Sequence, residues 1–349
     1  MSMLSWLLNR HRHDDRSDHQ QMKQMLERVV GMSPPLRFAR NYEARLLPAL
    51  TEAVRYIERL TAEVPAAHEA TAAAWSSDPC IHAFFTTPQD VCAALSQSEH
   101  LRSYFEEHAE LLEVFAVLGM ALHQRQVFGV AQHGVATRSD VAQTTVSFSD
   151  HQVRVCGATD AELRQQIVLR LLDQLMLQGL QKIESDESRR NALQEERALL
   201  RARLVLLERQ AAGVQSMLGS KAPPSVGEMA SAQAQLDRNE QELAKLGLKT
   251  ETIERGLGLI CEVLSSPGPY LCVQQKKLRL DPMNIVADGT DGTDGSNGTG
   301  GREANEVEFT VVQLPESANL TRAFALLRFK RSDLLPERDM FGEARRLLI

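Results

Sequence analysis

Groups of histidine, cysteine and acidic residues are the first candidates for metal binding or catalysis in this chain. Three histidines and three aspartates fall between His11 and His19, where they have the side chains to bind a metal ion. A metal site needs ligands that neighbouring groups hold in place, and a wholly polar segment offers no such support, so we predict no metal site there. Cys80 and His82 are two residues apart, so on a helix they point to different faces. We interpret them as a core cysteine and a surface histidine rather than as a nucleophile and its base.

The glycine-rich segment 288–305 carries aspartates at every third position, which suggests calcium binding at first sight. An EF-hand loop needs oxygen ligands at alternate positions and a glutamate at the twelfth, and this spacing does not match. We therefore predict a flexible loop that joins two strands. The chain also has no GxSxG, HExxH or P-loop motif, and no GxGxxG after a strand. These observations predict no catalytic, metal-binding or cofactor-binding residues and no cofactor.

Composition limits the class of protein. A chain of 349 residues with 43% apolar residues can form two or three domains, and an aromatic content of 5% fits a helix-rich protein. The formal charge of −7 argues against a dedicated nucleic-acid binder. Five scattered cysteines without a CxxC pair are typical of a reducing compartment, and no apolar run reaches the length of a transmembrane helix. Because Met1 to Leu8 is too short for a signal-peptide core, we predict a cytoplasmic protein.

The most regular pattern in the chain is a 3,4 spacing of mainly apolar residues from Met229 to Leu264. This spacing is typical of a coiled-coil seam. A helical stretch at 160–218 and a Gly/Pro-containing turn at 219–225 precede it. Together they predict a long antiparallel coiled-coil hairpin whose second helix runs unbroken from Val226 to Leu264.

The two arms of this hairpin differ in length. The first arm is longer than the second, so its first residues, 163–183, have no counterpart in the second arm. They are rich enough in apolar residues to cover one face of a sheet. We predict a joint in this helix at 185–188. The hairpin proper is then 186–264.

Residues 22–122 predict a helical domain. Two helix starts are clearly marked, at Asp78 and at Thr87, since each combines a capping side chain with a following proline. The run 111–122 is apolar almost all round and predicts a buried central helix. The preceding segment 1–21 is mostly polar, and we expect it to be marginally ordered.

Alternating apolar residues, the pattern of half-buried strands, appear in 126–157 and again after residue 267. In the first stretch, Asp150 and His151 predict a two-residue hairpin loop that places Phe148 and Val153 on one face. The chain therefore predicts an α+β fold, with an N-terminal helical domain and an antiparallel β-sheet domain carrying an inserted long antiparallel coiled-coil helical hairpin. The predicted segments are an N-terminal polar segment, the helical domain, the first part of the sheet domain, the hairpin, the second part of the sheet domain and a C-terminal helix: 1–21, 22–122, 126–185, 186–264, 267–332 and 333–349.

This organisation favours a non-enzymatic protein–protein interaction or scaffolding role for the coiled-coil arm. Arg190, Arg197 and Asn239 are candidate partner-binding residues, because polar groups at seam positions can select a partner. Four basic residues form a second candidate surface if their two strands are neighbours: Lys277, Arg279, Arg328 and Lys330. The seam leaves three arrangements open, namely a self-contained hairpin, a homodimer, and docking of another protein.

Two other function classes stay open. One is an enzyme with a site between the helical domain and the sheet, where His123, His133 and His151 are the first residues to test. The other is a peripheral membrane adaptor that uses a short apolar patch near the N-terminus: Leu4, Trp6, Leu7 and Leu8. This patch is only two helical turns long and mixed charges follow it, so membrane contact is the less favoured hypothesis, as is nucleic-acid binding.

Overall fold

The computed structural model describes residues 20–133, 136–218, 226–247, 251–287, 304–313 and 322–336. These residues combine helices with a mainly antiparallel sheet, which confirms the predicted α+β class. Among them, no helix is both long enough and apolar enough to cross a membrane. The N-terminal apolar patch, most of the predicted loop at 288–305 and residues 337–349 of the predicted C-terminal helix lie outside the described residues.

The chain divides into two compact units. The described parts of Met1–Ala53 and Asp173–Ser266 form the first, which we call the helical unit. The described parts of Val54–Leu172 and Pro267–Ile349 form the second, which we call the sheet unit. The boundaries predicted for the separate domains stay predictions.

Helices and strands alternate along the chain in blocks. The α-helices are α1 (20–32), α2 (Tyr42–Glu63), α3 (Pro79–Phe84), α4 (Pro88–Ser96), α5 (Glu99–Glu107), α6 (Asp160–Leu218), α7 (Val226–Lys245) and α8 (Thr252–Ser265). The strands are β1 (His68–Glu69), β2 (Glu113–His133), β3 (Ala136–Gly157), β4 (Cys272–Leu280), β5 (Asn305–Gln313) and β6 (Arg322–Lys330).

The sheet has the strand order β3-β2-β6-β5-β4, and β1 adds to β6 as a short parallel strand. The other neighbours are antiparallel. The period-two pattern of the last two strands is confirmed, since their alternate residues enter one core: Val307, Phe309, Val311, Ala323, Ala325, Leu327 and Phe329. Burying a large apolar side chain stabilises the folded state by about 1.5–3 kcal/mol, so this face holds much of the stability of the sheet unit.

Both predicted helix starts in the sheet unit are confirmed. Asp78 accepts hydrogen bonds from the first amides of α3, and Thr87 forms a reciprocal capping box with Asp90 at the start of α4. These caps satisfy backbone donors that a helix leaves without internal partners. The cap at Asp78 fixes the start of α3, and this helix places Ile81 and Phe84 in the core beneath the sheet.

The prediction of a central helix at 111–122 is wrong. This run leads into β2, where Val114, Ala116, Leu118 and Met120 are buried in the core. β2 lies between β3 and β6, so its backbone is paired on both sides. A short apolar run in an interior strand has the composition of a buried helix, and periodicity alone does not separate the two.

The predicted hairpin loop at Asp150 is also wrong, because β3 continues straight through it. The register with β2 passes from Ala121–Ser149 to Gly119–Gln152, so β3 has a bulge at this point. Asp150 takes a φ of 51°, in the left-handed region that aspartate tolerates better than most residues. Because the bulge adds one residue to β3, Phe148 and Val153 lie on the same face of the strand. Both are buried in the core, as predicted.

The long helices of the chain differ from the prediction at two points. α6 is a single helix of 59 residues, so the predicted joint at 185–188 is wrong. The second helix is not continuous, because α7 ends at Lys245 and α8 begins at Thr252. Gly247 has a φ of 71°, a left-handed conformation that glycine adopts without a steric penalty and that commonly ends a helix. The predicted turn at 219–225 lies outside the described residues.

Candidate functional site

A histidine, an aspartate and a cysteine meet in the sheet unit. Nδ1 of His68 lies 2.7 Å from Oδ2 of Asp78. The other carboxylate oxygen of Asp78 accepts hydrogen bonds from the backbone amides of Cys80, at 2.8 Å, and Ile81, at 3.4 Å. One ligand-capable atom from each of the three side chains, His68, Asp78 and Cys80, lies within 4.8 Å of the other two. We call these three residues the His-Asp-Cys cluster.

Different elements position the members of this cluster. His68 is held by β1, which pairs with β6, and the next residue but one, Ala70, donates its amide to the backbone oxygen of Arg328 at 2.9 Å. Asp78 is the N-cap of α3, and Cys80 lies in the first turn of that helix. The Cys80 thiol donates to the backbone oxygen of Glu308 at 3.7 Å and is only 6% exposed. Strand pairing and helix capping therefore fix all three side chains.

The electrostatics of the cluster favour an ion pair between its first two members. The hydrogen bond to Asp78 is the main cause that raises the pKa of His68 to about 10, and Cys80 adds to it against the opposing effect of burial. Burial is the largest single influence on Asp78 and acts to raise its pKa. The bonds from His68 and from the amides of Cys80 and Ile81 together outweigh it, so the pKa of Asp78 is lowered.

A cavity of about 200 Å³ borders the cluster at Asp78. Polar groups on its wall include His82, Asp281 and Asn284. His82 lies with its ring nitrogens 3.3 Å from the backbone oxygen of Trp75 and 3.2 Å from that of Pro282. Both ring nitrogens therefore have backbone neighbours, and the side chain is half-buried rather than on the surface as predicted.

Cys80 is a core residue, as predicted, but its neighbour is His68 rather than His82. The helix-capping role of Asp78 could be predicted from the sequence, because a proline follows it. The position of His68 could not, because β1 is two residues long and pairs with a strand more than 250 residues away in the chain. Residues of this kind meet only through tertiary pairing.

Two of the three predicted seam residues are used inside the helical unit. Arg190 is buried and donates to the backbone oxygens of Leu246 and Gly247, which are carbonyl groups at the end of α7. Asn239 is buried and donates to Glu196 Oε2 at 2.9 Å, whereas its own Oδ1 has no partner among the described residues. Arg197 is half-exposed on α6.

The four predicted basic residues do not form one patch, because β5 separates the strands that carry them. Lys277 of β4 lies 3.2 Å from Glu308 on β5. Arg328 and Lys330 of β6 both contact the carboxylate of Glu69. Arg279 lies opposite another acidic residue in the strand register, Glu306. Acidic groups therefore accompany these basic side chains.

The three histidines proposed for an enzyme site have separate surroundings. Nε2 of His151 lies 2.8 Å from the backbone oxygen of Phe84, and its ring stacks on Phe85. His123 lies on β2 with its Nε2 3.0 Å from Ser149 Oγ. The side chain of His133 is outside the described part of the structure.

α6 presents two apolar stripes within the helical unit. Leu200 and Leu207 are buried, and hydrogen bonds such as that from Asn239 to Glu196 join α7 to α6. The second stripe, which we call the outer leucine stripe, is exposed: Leu199 at 71% and Leu206 at 58%.

In comparison with known proteins, no family model, no curated protein and no solved structure matches the chain.

Proposed function

We propose that this is a non-enzymatic interaction or scaffolding protein, in which α6 uses the outer leucine stripe to join a second copy of the chain. The observation that carries the proposal is the exposure of Leu199 and Leu206 on one face of α6. Single exposed leucines are common on protein surfaces, but leucines one heptad apart on one helix are typical of a helix–helix interface.

The two stripes of α6 point in different directions. Successive residues of an α-helix are rotated by about 100°, so Leu199 and Leu206 face about 100° away from Leu200 and Leu207. We also propose that the buried stripe packs against α7 in an antiparallel coiled-coil hairpin. The pairs Arg201–Glu240 and Asn239–Glu196 support it, because later residues of one helix contact earlier residues of the other. The outer leucine stripe remains for a partner.

The charges beside the outer leucine stripe favour a second copy as that partner. An antiparallel pair of α6 helices with its two-fold axis midway between Ala202 and Arg203 would place Leu199 opposite Leu206 of the second copy. The same axis would place the exposed Glu195 close to the exposed Arg209 of the second copy. Each interface would contain this attraction twice, which is the self-complementarity that a two-fold dimer requires.

The expected dimer is weak. Four leucines would be buried, each contributing at most about 1.5–3 kcal/mol, against an association cost of roughly 4–15 kcal/mol. We therefore expect a dissociation constant of about 1 µM or weaker. A cytoplasmic location is part of the same proposal and is supported by the five cysteines, which are free thiols.

Sedimentation equilibrium of the full chain tests this function. We expect the wild type to move from 38.9 kDa toward twice that mass as concentration rises, and Leu199→Lys with Leu206→Lys to remain monomeric. Leu112→Lys is the matched control, because this leucine is 80% exposed in the sheet unit and should not affect association. A wild type that stays monomeric throughout, or a double variant that associates as the wild type does, would contradict the proposal.

A charge exchange tests the geometry more sharply. Glu195→Arg alone should weaken association, because it would set arginines against each other at both ends of the interface. Adding Arg209→Glu should restore it. If the double exchange associates no better than the single variant, the antiparallel arrangement is wrong even where a dimer forms.

A further inference from the structure

We propose that the His-Asp-Cys cluster is a binding site for a zinc-class divalent transition-metal ion, with His68, Asp78 and Cys80 as its ligands. This inference is independent of the outer leucine stripe and would hold for a monomer. Imidazole nitrogen, carboxylate oxygen and thiolate sulfur are the ligands that zinc takes in proteins. A hard cation such as magnesium or calcium would not select a set that contains a thiolate.

The separations within the cluster suit one small ion after a modest adjustment. Zinc–ligand bonds of about 2.0–2.3 Å in a tetrahedron place the ligand atoms roughly 3.3–3.8 Å apart. The three ligand atoms already lie within 4.8 Å of one another. His68 Nδ1 and Asp78 Oδ2, now 2.7 Å apart across a hydrogen bond, would separate by several tenths of an ångström to admit the ion. In that step the ion replaces the shared proton of this pair and the proton of the thiol.

The surroundings hold the ligands in the way that a metal site requires. Two backbone amides fix one oxygen of Asp78 and leave the other for the ion. The pairing of β1 with β6 fixes the backbone of His68, and the capped first turn of α3 fixes the backbone of Cys80. Such supporting contacts set the orientation of metal ligands in known sites. The segment that carries His11, His13 and His19 is wholly polar in sequence, so no comparable support is expected for those histidines.

Water can complete the coordination. Three protein ligands leave one tetrahedral position of zinc open, as in sites where the metal binds water or a small molecule. The cavity of about 200 Å³ that Asp78 also lines has room for several waters, each of which occupies about 30 Å³ in the liquid. The competing interpretation is an ion pair that simply ties β1 to α3, and it predicts no metal binding.

Cobalt(II) titration of the metal-free full chain distinguishes these possibilities. Cobalt replaces zinc in such sites, and a thiolate ligand gives a charge-transfer band in the near ultraviolet. We expect one cobalt ion per chain with this band, displaced by zinc. Histidines in the N-terminal segment can bind cobalt but cannot produce the band, because residues 1–21 contain no cysteine.

Two variants and a matched control assign the ligands. Cys80→Ser should abolish the band, and His68→Gln should weaken cobalt binding by more than the roughly 10–100-fold that losing a supporting contact costs. Cys92→Ser, which changes a half-buried thiol elsewhere in the sheet unit, should keep the band. Circular dichroism of each variant checks folding. A wild type that binds no stoichiometric cobalt, or binds it without the band, overturns the proposal whatever the variants do, and so does a folded Cys80→Ser protein that keeps the band.

Discussion

Nε2 of His151 lies 2.8 Å from the backbone oxygen of Phe84, so the bulge in β3 is tied by this side chain to the end of α3. Burial lowers the pKa of His151, and the contacts with the Phe84 oxygen and nearby carboxylates only partly oppose that effect. The neutral imidazole is therefore the form that fits the folded protein.

This relationship predicts a loss of stability in mild acid. Below the unfolded-state pKa of about 6.5 the unfolded chain takes up a proton at His151 that the folded chain resists, so the free energy of unfolding falls as pH drops. We expect His151→Gln to reduce the stability difference between neutral and mildly acidic pH. Urea unfolding at the two pH values measures it. His123→Gln is the control, and an equal effect from that variant would contradict the assignment.

Gly247 and Gly258 should respond to alanine in opposite directions. Gly247 has a φ of 71°, so Gly247→Ala should destabilise the helical unit by about 1 kcal/mol. Gly258 lies inside α8 with open space where a Cβ would stand, so Gly258→Ala should stabilise it by roughly 0.5–1 kcal/mol. Thermal unfolding monitored by circular dichroism compares the two variants. The same sign for both would argue against the break between α7 and α8.

Asn239 is expected to limit the stability of the α6–α7 contact. Its buried Oδ1 has no partner among the described residues, and its Nδ2 bonds only to a glutamate near the surface. Replacing a poorly satisfied buried amide with an apolar group removes a desolvation cost of about 1–3 kcal/mol. Asn239→Leu should therefore raise the unfolding midpoint in urea, whereas the reverse change at a neighbouring buried position, Leu236→Asn, should lower it. A destabilised Asn239→Leu variant would show that this oxygen is satisfied in solution.

The aromatic cluster in the sheet unit should carry a large share of its stability. Phe309 is buried, and its ring meets that of Phe148 edge to face at 5.3 Å between centroids, while Phe84 meets Phe148 edge to face at 5.0 Å. Phe309→Ala should cost about 3–5 kcal/mol in unfolding free energy. Phe128→Ala, at an exposed position of β2, should cost less than about 0.5 kcal/mol. Similar costs for the two variants would contradict the location of this core.

Local signals in the sequence were sufficient for the elements that depend on neighbouring residues. The caps at Asp78 and Thr87, the whole length of α6 and the alternation in β5 and β6 all follow from short-range spacing. These features could be predicted because the buried residues of a helix recur about every 3.6 positions and those of a strand about every second position.

The errors occurred where distant pairing overrides local pattern. The 111–122 run is apolar enough for a buried helix, and only its pairing with β3 and β6 makes it a strand. The bulge at Asp150 was predicted as a hairpin turn, and the left-handed Gly247 was predicted as the interior of a continuous helix. The candidate metal site could not be anticipated for the same reason, because His68 reaches Asp78 through a strand pair formed with the far end of the chain.

The strand order has a consequence for how the protein is made on the ribosome. β2 emerges early, but its partner β6 begins only at Arg322, after all the long helices. At about 5–20 residues per second, the apolar edge of β2 waits roughly 10–40 s for that partner during translation. The sheet is therefore completed late, and a nascent chain stalled before β6 would expose an unpaired strand edge that promotes aggregation.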